Sequence, residues 1–173
     1  QLDSLNFTMK SVIGEGEILS RTQMFLRETA EEYGASIVTL TERYNKFYTA
    51  ARQSGVALED TEDIFRSFTK SAGFLGLRSH ELEGGFLALE QMLSKGKVTT
   101  EELRRQLGER LPGAFGVMAD TVNKLNPDIN VTVETLDDML KKGKILSHEV
   151  LPEFAKQYEK SIGITQKNRV ETL

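Results

Sequence analysis

The stretch Leu82-Glu-Gly-Gly-Phe86-Leu-Ala-Leu89-Glu-Gln-Met-Leu93-Ser-Lys-Gly96-Lys-Val98-Thr99-Thr-Glu-Glu102-Leu103 decides the fold class. Leu82, Phe86, Leu89 and Leu93 recur at steps of three and four, which puts them on one face of a helix. Gly96 follows the run, where a left-handed residue ends a helix without strain. Thr99 with Glu102 three residues on forms a capping box, and Val98 with Leu103 a hydrophobic staple. A helix, a stop, a cap and a second helix are therefore written into 22 consecutive residues.

The same grammar extends outward. Leu2, Leu5, Met9 and Val12 form one stripe. Ile37, Leu40, Tyr44, Phe47, Tyr48 and Ala51 form another, and Ile64, Phe68, Ala72 and Leu75 a third. Gly34, Gly55, Gly76 and Gly143 each close such a run. Val131-Thr132 with Leu136, and Leu146-Ser147 with Leu151, repeat the staple. The three prolines, Pro112, Pro127 and Pro152, all lie beyond the first 111 residues. The reading is all-α, a multi-helix domain of eight or nine short helices near 2–13, 17–33, 36–53, 59–75, 80–95, 100–111, 113–125, 133–142 and 148–160. Residues 1–162 are read as one helical domain and 163–173 as a polar tail. Residues 129–133, though rich in β-branched types, follow Asn126-Pro127-Asp128 and are read as a loop. Phe65, Phe68, Phe86, Leu89, Leu103, Leu107 and Leu151 are expected in the core.

Residues 92–103 echo residues 139–150 at an offset of 47, with Met, Leu, Lys, Gly, Lys and Glu repeated in place. Since the flanks do not match, the echo reads as a reused device for turning from one helix to the next.

The 173 residues hold 22 Lys+Arg against 26 Asp+Glu, a net charge of −4, and no cysteine. That balance argues against a dedicated nucleic-acid or anionic-membrane binder. No disulfide, thiolate metal site or cysteine nucleophile can form. No apolar run approaches the roughly 20 residues of a membrane span. The opening Gln1-Leu2-Asp3 shows no leader pattern and falls inside a helical stripe, so the chain reads as a segment of a longer protein.

No catalytic constellation appears. His80 and His148 each sit in Ser-His-Glu at a helix start, without a metal-site spacing. Gly14-Glu15-Gly16 lacks the third glycine and the preceding strand of a dinucleotide site. Glu101 and Glu102 are adjacent on a helix and diverge. No cofactor or metal is expected. Glu101 to Arg105 reads as a surface pair.

The corner Leu111-Pro112-Gly113-Ala114-Phe115 is more unusual. Pro112 ends one helix and starts the next, and Gly113 with Ala114 admits a close backbone. On the preceding helix, Leu103, Leu107 and Leu111 face the core, while Arg104, Arg105, Gly108 and Glu109 are left over. Glycine inside a helix costs about 1 kcal/mol against alanine, so Gly108 suggests close approach by another helix, from this chain or a partner. The candidate protein-interaction surface is Arg104, Arg105, Gly108, Glu109, Arg110, Pro112, Gly113 and Phe115.

The run from Phe86 through Gly96-Lys-Val98-Thr99 and Leu111-Pro112-Gly113-Ala114-Phe115 resembles the N-terminal conserved domain of tailed-phage tail tape measure proteins. The block Leu136-Asp-Asp-Met-Leu-Lys-Lys-Gly-Lys-Ile-Leu-Ser-His-Glu-Val-Leu-Pro-Glu-Phe154 is similar to the same family and stands in the family's order. Two features depart from it. Lys124 to Val131 forms a longer loop, and Ala57 stands where the family tends to have a Ser cap. The resemblance implies a structural virion-tail protein, made in the host cytoplasm, that takes part in tail assembly and length determination. It implies other tail proteins as partners (tube protein, assembly chaperones, tail-tip or baseplate proteins), self-association as a further contact, and no specific nucleic acid or membrane for this segment. Two other classes stay open at this point: a peptidoglycan-hydrolase domain carried by a tape measure protein, and a bacterial helical scaffold domain unrelated to phage.

Overall fold

A computed structural model describes residues 1–163 with their side chains, and the backbone of the last helix as far as Thr172. Eight α-helices and one π-helix follow in order among the described residues: α1 (Leu2–Ile13), α2 (Glu17–Tyr33), α3 (Ile37–Gln53), α4 (Leu58–Leu75), α5 (Ser79–Lys95), the π-helix (Glu101–Leu107), α6 (Ala114–Leu125), α7 (Val133–Lys141) and α8 (Ser147–Thr172). The described residues hold no strand. The expected polar tail falls outside the residues with described side chains, Gly163 excepted.

The stripes converge as their spacing requires. Tyr44 and Phe47 of α3, Phe65 and Phe68 of α4 and Phe86 of α5 are buried around one centre. Phe65 stacks on Phe86 with ring centroids 4.4 Å apart, and Tyr44 meets Phe65 edge-on at 5.0 Å. Leu89, Leu103, Leu107 and Leu151 continue this core without a break. Val12 departs from its stripe and is 38% exposed, because α1 buries only Met9 fully. Arg43 of α3 holds both carboxylate oxygens of Glu90 on α5, at 2.6 and 2.7 Å, with both side chains buried. Burial outweighs that guanidinium and lifts the Glu90 carboxyl above its usual range.

All five expected glycine stops have positive φ, from 66° at Gly34 and Gly143 to 84° at Gly55. The two echoing corners pair with one another. Val98 N–H donates to Ile145 O at 2.9 Å, and Ser147 N–H donates to Gly96 O at 3.1 Å. An isolated antiparallel bridge joins Lys97 and Leu146. Val98 and Ile145 hold equivalent places in the two segments, so the corners meet at matching positions of the echo.

Three local expectations change. Leu146 is 37% exposed, so it forms no staple with Leu151; the Ser147 hydroxyl instead donates to Met92 O at 2.6 Å, in the core between the corners. Glu102 N–H does reach Thr99 Oγ1, at 3.4 Å, but the Glu102 carboxylate turns inward to pair with Lys95. The helix expected over 100–111 is a π-helix that stops at Leu107.

Candidate functional site

The candidate surface begins in the π-helix. Gly108 N–H donates to Leu103 O five residues back, at 2.9 Å, and Glu109 N–H then returns to Arg105 O at 3.2 Å. The ladder thus skips the Arg104 carbonyl, which is pushed toward Gly108. A Cβ at Gly108 would overlap that oxygen. Glycine is needed here by the wide turn of its own segment, a reason that helix propensity does not reveal. Leu103, Leu107 and Leu111 all point into the core as expected.

Arg110 turns away from solvent. Its Nη1 donates to Gln106 O at 2.6 Å, and its guanidinium occupies the space a side chain on Gly84 of α5 would need. The neighbouring Gly85 is filled in the same way by the Phe68 ring. Arg110 therefore packs the π-helix against α5. Gly84-Gly85, two glycines inside a strong helical stripe, was the sequence signal for this contact.

At the corner, Gly113 has φ 80° and open space around its Cα, so its conformation rather than a close neighbour requires glycine. Pro112 O accepts from the Tyr158 hydroxyl of α8 at 2.9 Å. Burial raises that phenol above its usual range, which keeps it protonated as the donor at neutral pH. The Tyr158 hydroxyl thereby fixes the corner from behind. At the other end of α6, Lys124 pairs with Glu153 of α8 at 2.6 Å.

What remains in front is small and specific. Arg104 is exposed and lies over the half-buried Phe115 ring, 4.1 Å from its centroid. A guanidinium at that distance is held by the ring's negative face. Arg105 and Glu109 are exposed, with Arg105 only 3.6 Å from Glu101 across one turn, a contact worth little in water. Pro112 is exposed beside them. Two arginine forks and an aromatic edge on a braced backbone can bind carboxylates and apolar side chains. His80 and His148 are exposed and far apart in sequence, and no group of three acids or histidines that could hold a metal occurs among the described residues. A groove of about 510 Å³ runs between α1, α2 and α3, with Arg27 and Glu31 its charged lining residues.

A family model described as tape measure protein matches residues 1–171. The chain belongs to the tape measure protein family. A probable tape measure protein of Salmonella phage Felix O1 (isolate Felix O1-VT1) is 32% identical over 142 residues, which are 82% of this chain and 18% of that protein. The chain thus spans less than a fifth of the length of this tape measure relative. No solved structure matches it significantly. The family is one of structural tape measure proteins of phage tails. No helix among the described residues is long and apolar enough to cross a membrane.

Proposed function

We propose that this domain is an assembly module of its tape measure protein, joining other tail proteins through the Arg104–Phe115 corner and so taking part in tail assembly and length determination. The ruler itself needs extended helix, which gains 1.5 Å per residue. A chain folded back on itself at five glycine stops cannot serve as that ruler. It is suited to the complementary task of fixing one end of a long chain to its partners.

The observation that carries this reading is the exposed Arg104–Phe115 stack on a backbone braced by Tyr158. Arg110 and Gly108 have structural duties, whereas Arg104 and Arg105 are exposed, with Arg104 on the outer side of the Phe115 ring and Arg105 in a surface pair with Glu101. Glu109, Pro112 and Gly113 complete the surface. Arg104→Glu with Arg105→Glu in the full-length protein is expected to leave the domain folded and to abolish tail assembly. Normal tails at normal protein levels from that double variant would reject the docking surface.

A further inference from the structure

The connection from α1 to α2 is built differently from the later helix stops. After Gly34, Gly55, Gly76 and Gly143, the next residue's N–H turns back to a carbonyl five residues earlier. Ala35 donates to Ala30 O at 3.0 Å, Val56 to Ala51 O at 2.9 Å, Leu77 to Ala72 O at 3.0 Å and Lys144 to Met139 O at 3.0 Å. Such a bond fixes the angle at which the chain leaves the helix. At Gly14-Glu15-Gly16, Gly14 N–H ends α1 on Lys10 O at 2.8 Å, and neither Glu15 N–H nor Gly16 N–H donates to an acceptor among the described residues. Gly14 (φ 95°, ψ −178°) and Gly16 (φ 105°, ψ −151°) hold conformations that are essentially reserved for glycine. A Cβ on either would stand in open space. The connector is thus neither bonded back nor packed at its two glycines.

α1 itself is lightly held. It buries one residue, Met9, where α3 and α5 each bury eight. Among the described residues, one side-chain hydrogen bond ties α1 to the rest of the fold, from Asn45 Nδ2 of α3 to Leu5 O at 3.1 Å. Its one ion pair there, Lys10 with Glu15, is exposed and reaches only the connector; such surface pairs are worth little. The first half of α1 also stands off α2. Leu2 and Asn6 line the groove of about 510 Å³ together with Leu26 and Ala30 of α2 and Ile37 and Thr41 of α3. Ile37, Thr41 and Asn45 follow at steps of four, so they share one face of α3. The groove and the seat of α1 are therefore one strip, and α1 covers its Asn45 end.

We propose that α1 is a detachable strap, which leaves α3 as one unit by swinging on Gly14 and Gly16 while α2 to α8 stay folded, and so opens the α3 face from Ile37 to Asn45. Release gives up one fully buried apolar side chain and one tertiary hydrogen bond, and it breaks no bonded turn. Segments with so few buried contacts open at the low end of a protein's range of local stabilities. A helix of 12 residues is marginal by itself in water, so the released strap also loses its internal hydrogen bonds. Release lets water reach the Oδ1 of Asn45, which is buried without a partner while α1 is docked. That gain offsets part of what undocking costs. The docked strap is an intramolecular cover, and its release lengthens the groove along α3.

The test is native-state hydrogen exchange on the 173-residue chain, read residue by residue. The amides bonded within α1, from Leu5 to Gly14, are expected to exchange as one block, about 100-fold or more faster than those of α4 and α5. Their rates should barely change in low urea, because strap release exposes little surface, while the core rates rise steeply. Leu151→Ala, in a helix that packs on α4 and α6 rather than on α1, should speed the α4 and α5 amides and leave the α1 block unchanged. Asn45→Ala should speed the α1 block several-fold by removing its hydrogen bond to Leu5 O. The chain has no native cysteine, so single thiols give a second readout. Met9→Cys is expected to be labelled through the opening that the α1 amides report, and Ala88→Cys, fully buried in α5, only through global unfolding. If the α1 amides share the urea and Leu151→Ala dependence of α4 and α5, α1 opens only with the core and the strap is overturned. A gradient along α1, fast at Leu5 and slow at Gly14, means fraying from one end and overturns release as a unit.

Discussion

The two glycine-stopped corners share their sequence and part company in their consequences. Met92, Leu93, Lys95, Gly96, Lys97 and Glu102 repeat as Met139, Leu140, Lys142, Gly143, Lys144 and Glu149. Both stop a helix with positive φ, and the two meet at Val98 and Ile145. After the first corner the chain widens into a π-helix, Glu102 is 1% exposed, and Lys95 pairs with it. After the second, α8 continues as an α-helix, Glu149 is exposed, and Lys142 pairs back to Asp138 on its own helix. The position equivalent to Gly108 is Ala155. A shared motif therefore dictates where the chain turns. What the following helix packs against dictates which of its side chains are buried.

The comparison breaks most sharply at the two acids. Glu102→Ala removes a buried carboxylate and leaves Lys95 without its partner. It should cost about 2–3 kcal/mol, below the range for pairs buried at both ends because Lys95 is half exposed. Glu149→Ala should stay within about 0.5 kcal/mol. Equal losses in urea titrations of the two variants would mean the corners are buried alike.

A change of sign comes next. Helix propensity alone predicts that Gly108→Ala stabilises by about 1 kcal/mol. The overlap with the Arg104 carbonyl predicts a loss of roughly 1–3 kcal/mol instead. Ala155→Gly in α8 should cost about 1 kcal/mol in the ordinary way. Stabilisation by Gly108→Ala, read from melting curves, would show that the wide turn is not held.

The caps differ less. Ser147→Ala removes a buried hydroxyl bonded to Met92 O and should cost about 1–2 kcal/mol. Thr100, at the equivalent position, makes no cap bond, and Thr100→Ala should change stability by less than about 0.5 kcal/mol.

The smallest effect is electrostatic. The hydrogen bond from Lys142 holds the Asp138 carboxyl below its usual range. A folded-state value depressed in this way adds stability that is present above the unfolded value and lost as pH falls through the folded one. Lys142→Ala should return Asp138 toward the ordinary aspartate range near 3.9. Carboxyl NMR titration checks the direction, and an unchanged titration would show that the pair does not persist in solution.

Much of this architecture was legible in the residues. Leu82, Phe86, Leu89 and Leu93 share a helix face because the helical period leaves them no alternative, and all four are buried. Gly34, Gly76 and Gly96 mark helix ends because positive φ is costly for other residues. At the candidate site, the exposure of Arg104 and Arg105 and the turn at Pro112-Gly113 followed from the leucine spacing and the proline. Membership in the tape measure family followed from the residues around Gly96 and Gly143.

Other features depend on contacts between residues far apart in the chain, and no local pattern encodes them. Arg110 fits against Gly84 only once α5 and the π-helix are side by side. The Pro112 carbonyl finds Tyr158 across 46 residues, and Arg43 finds Glu90 across 47. Where the chain can be helical and where it has to turn follows from the residue order alone, since backbone sterics and apolar periodicity act over a few residues. The widening of one helix into a π-turn, the burial of one of two matching glutamates and the outward facing of Arg104 and Arg105 arise instead from packing between distant elements. Those outcomes depend on which surfaces meet, and burial and ion pairing exist only after they have met.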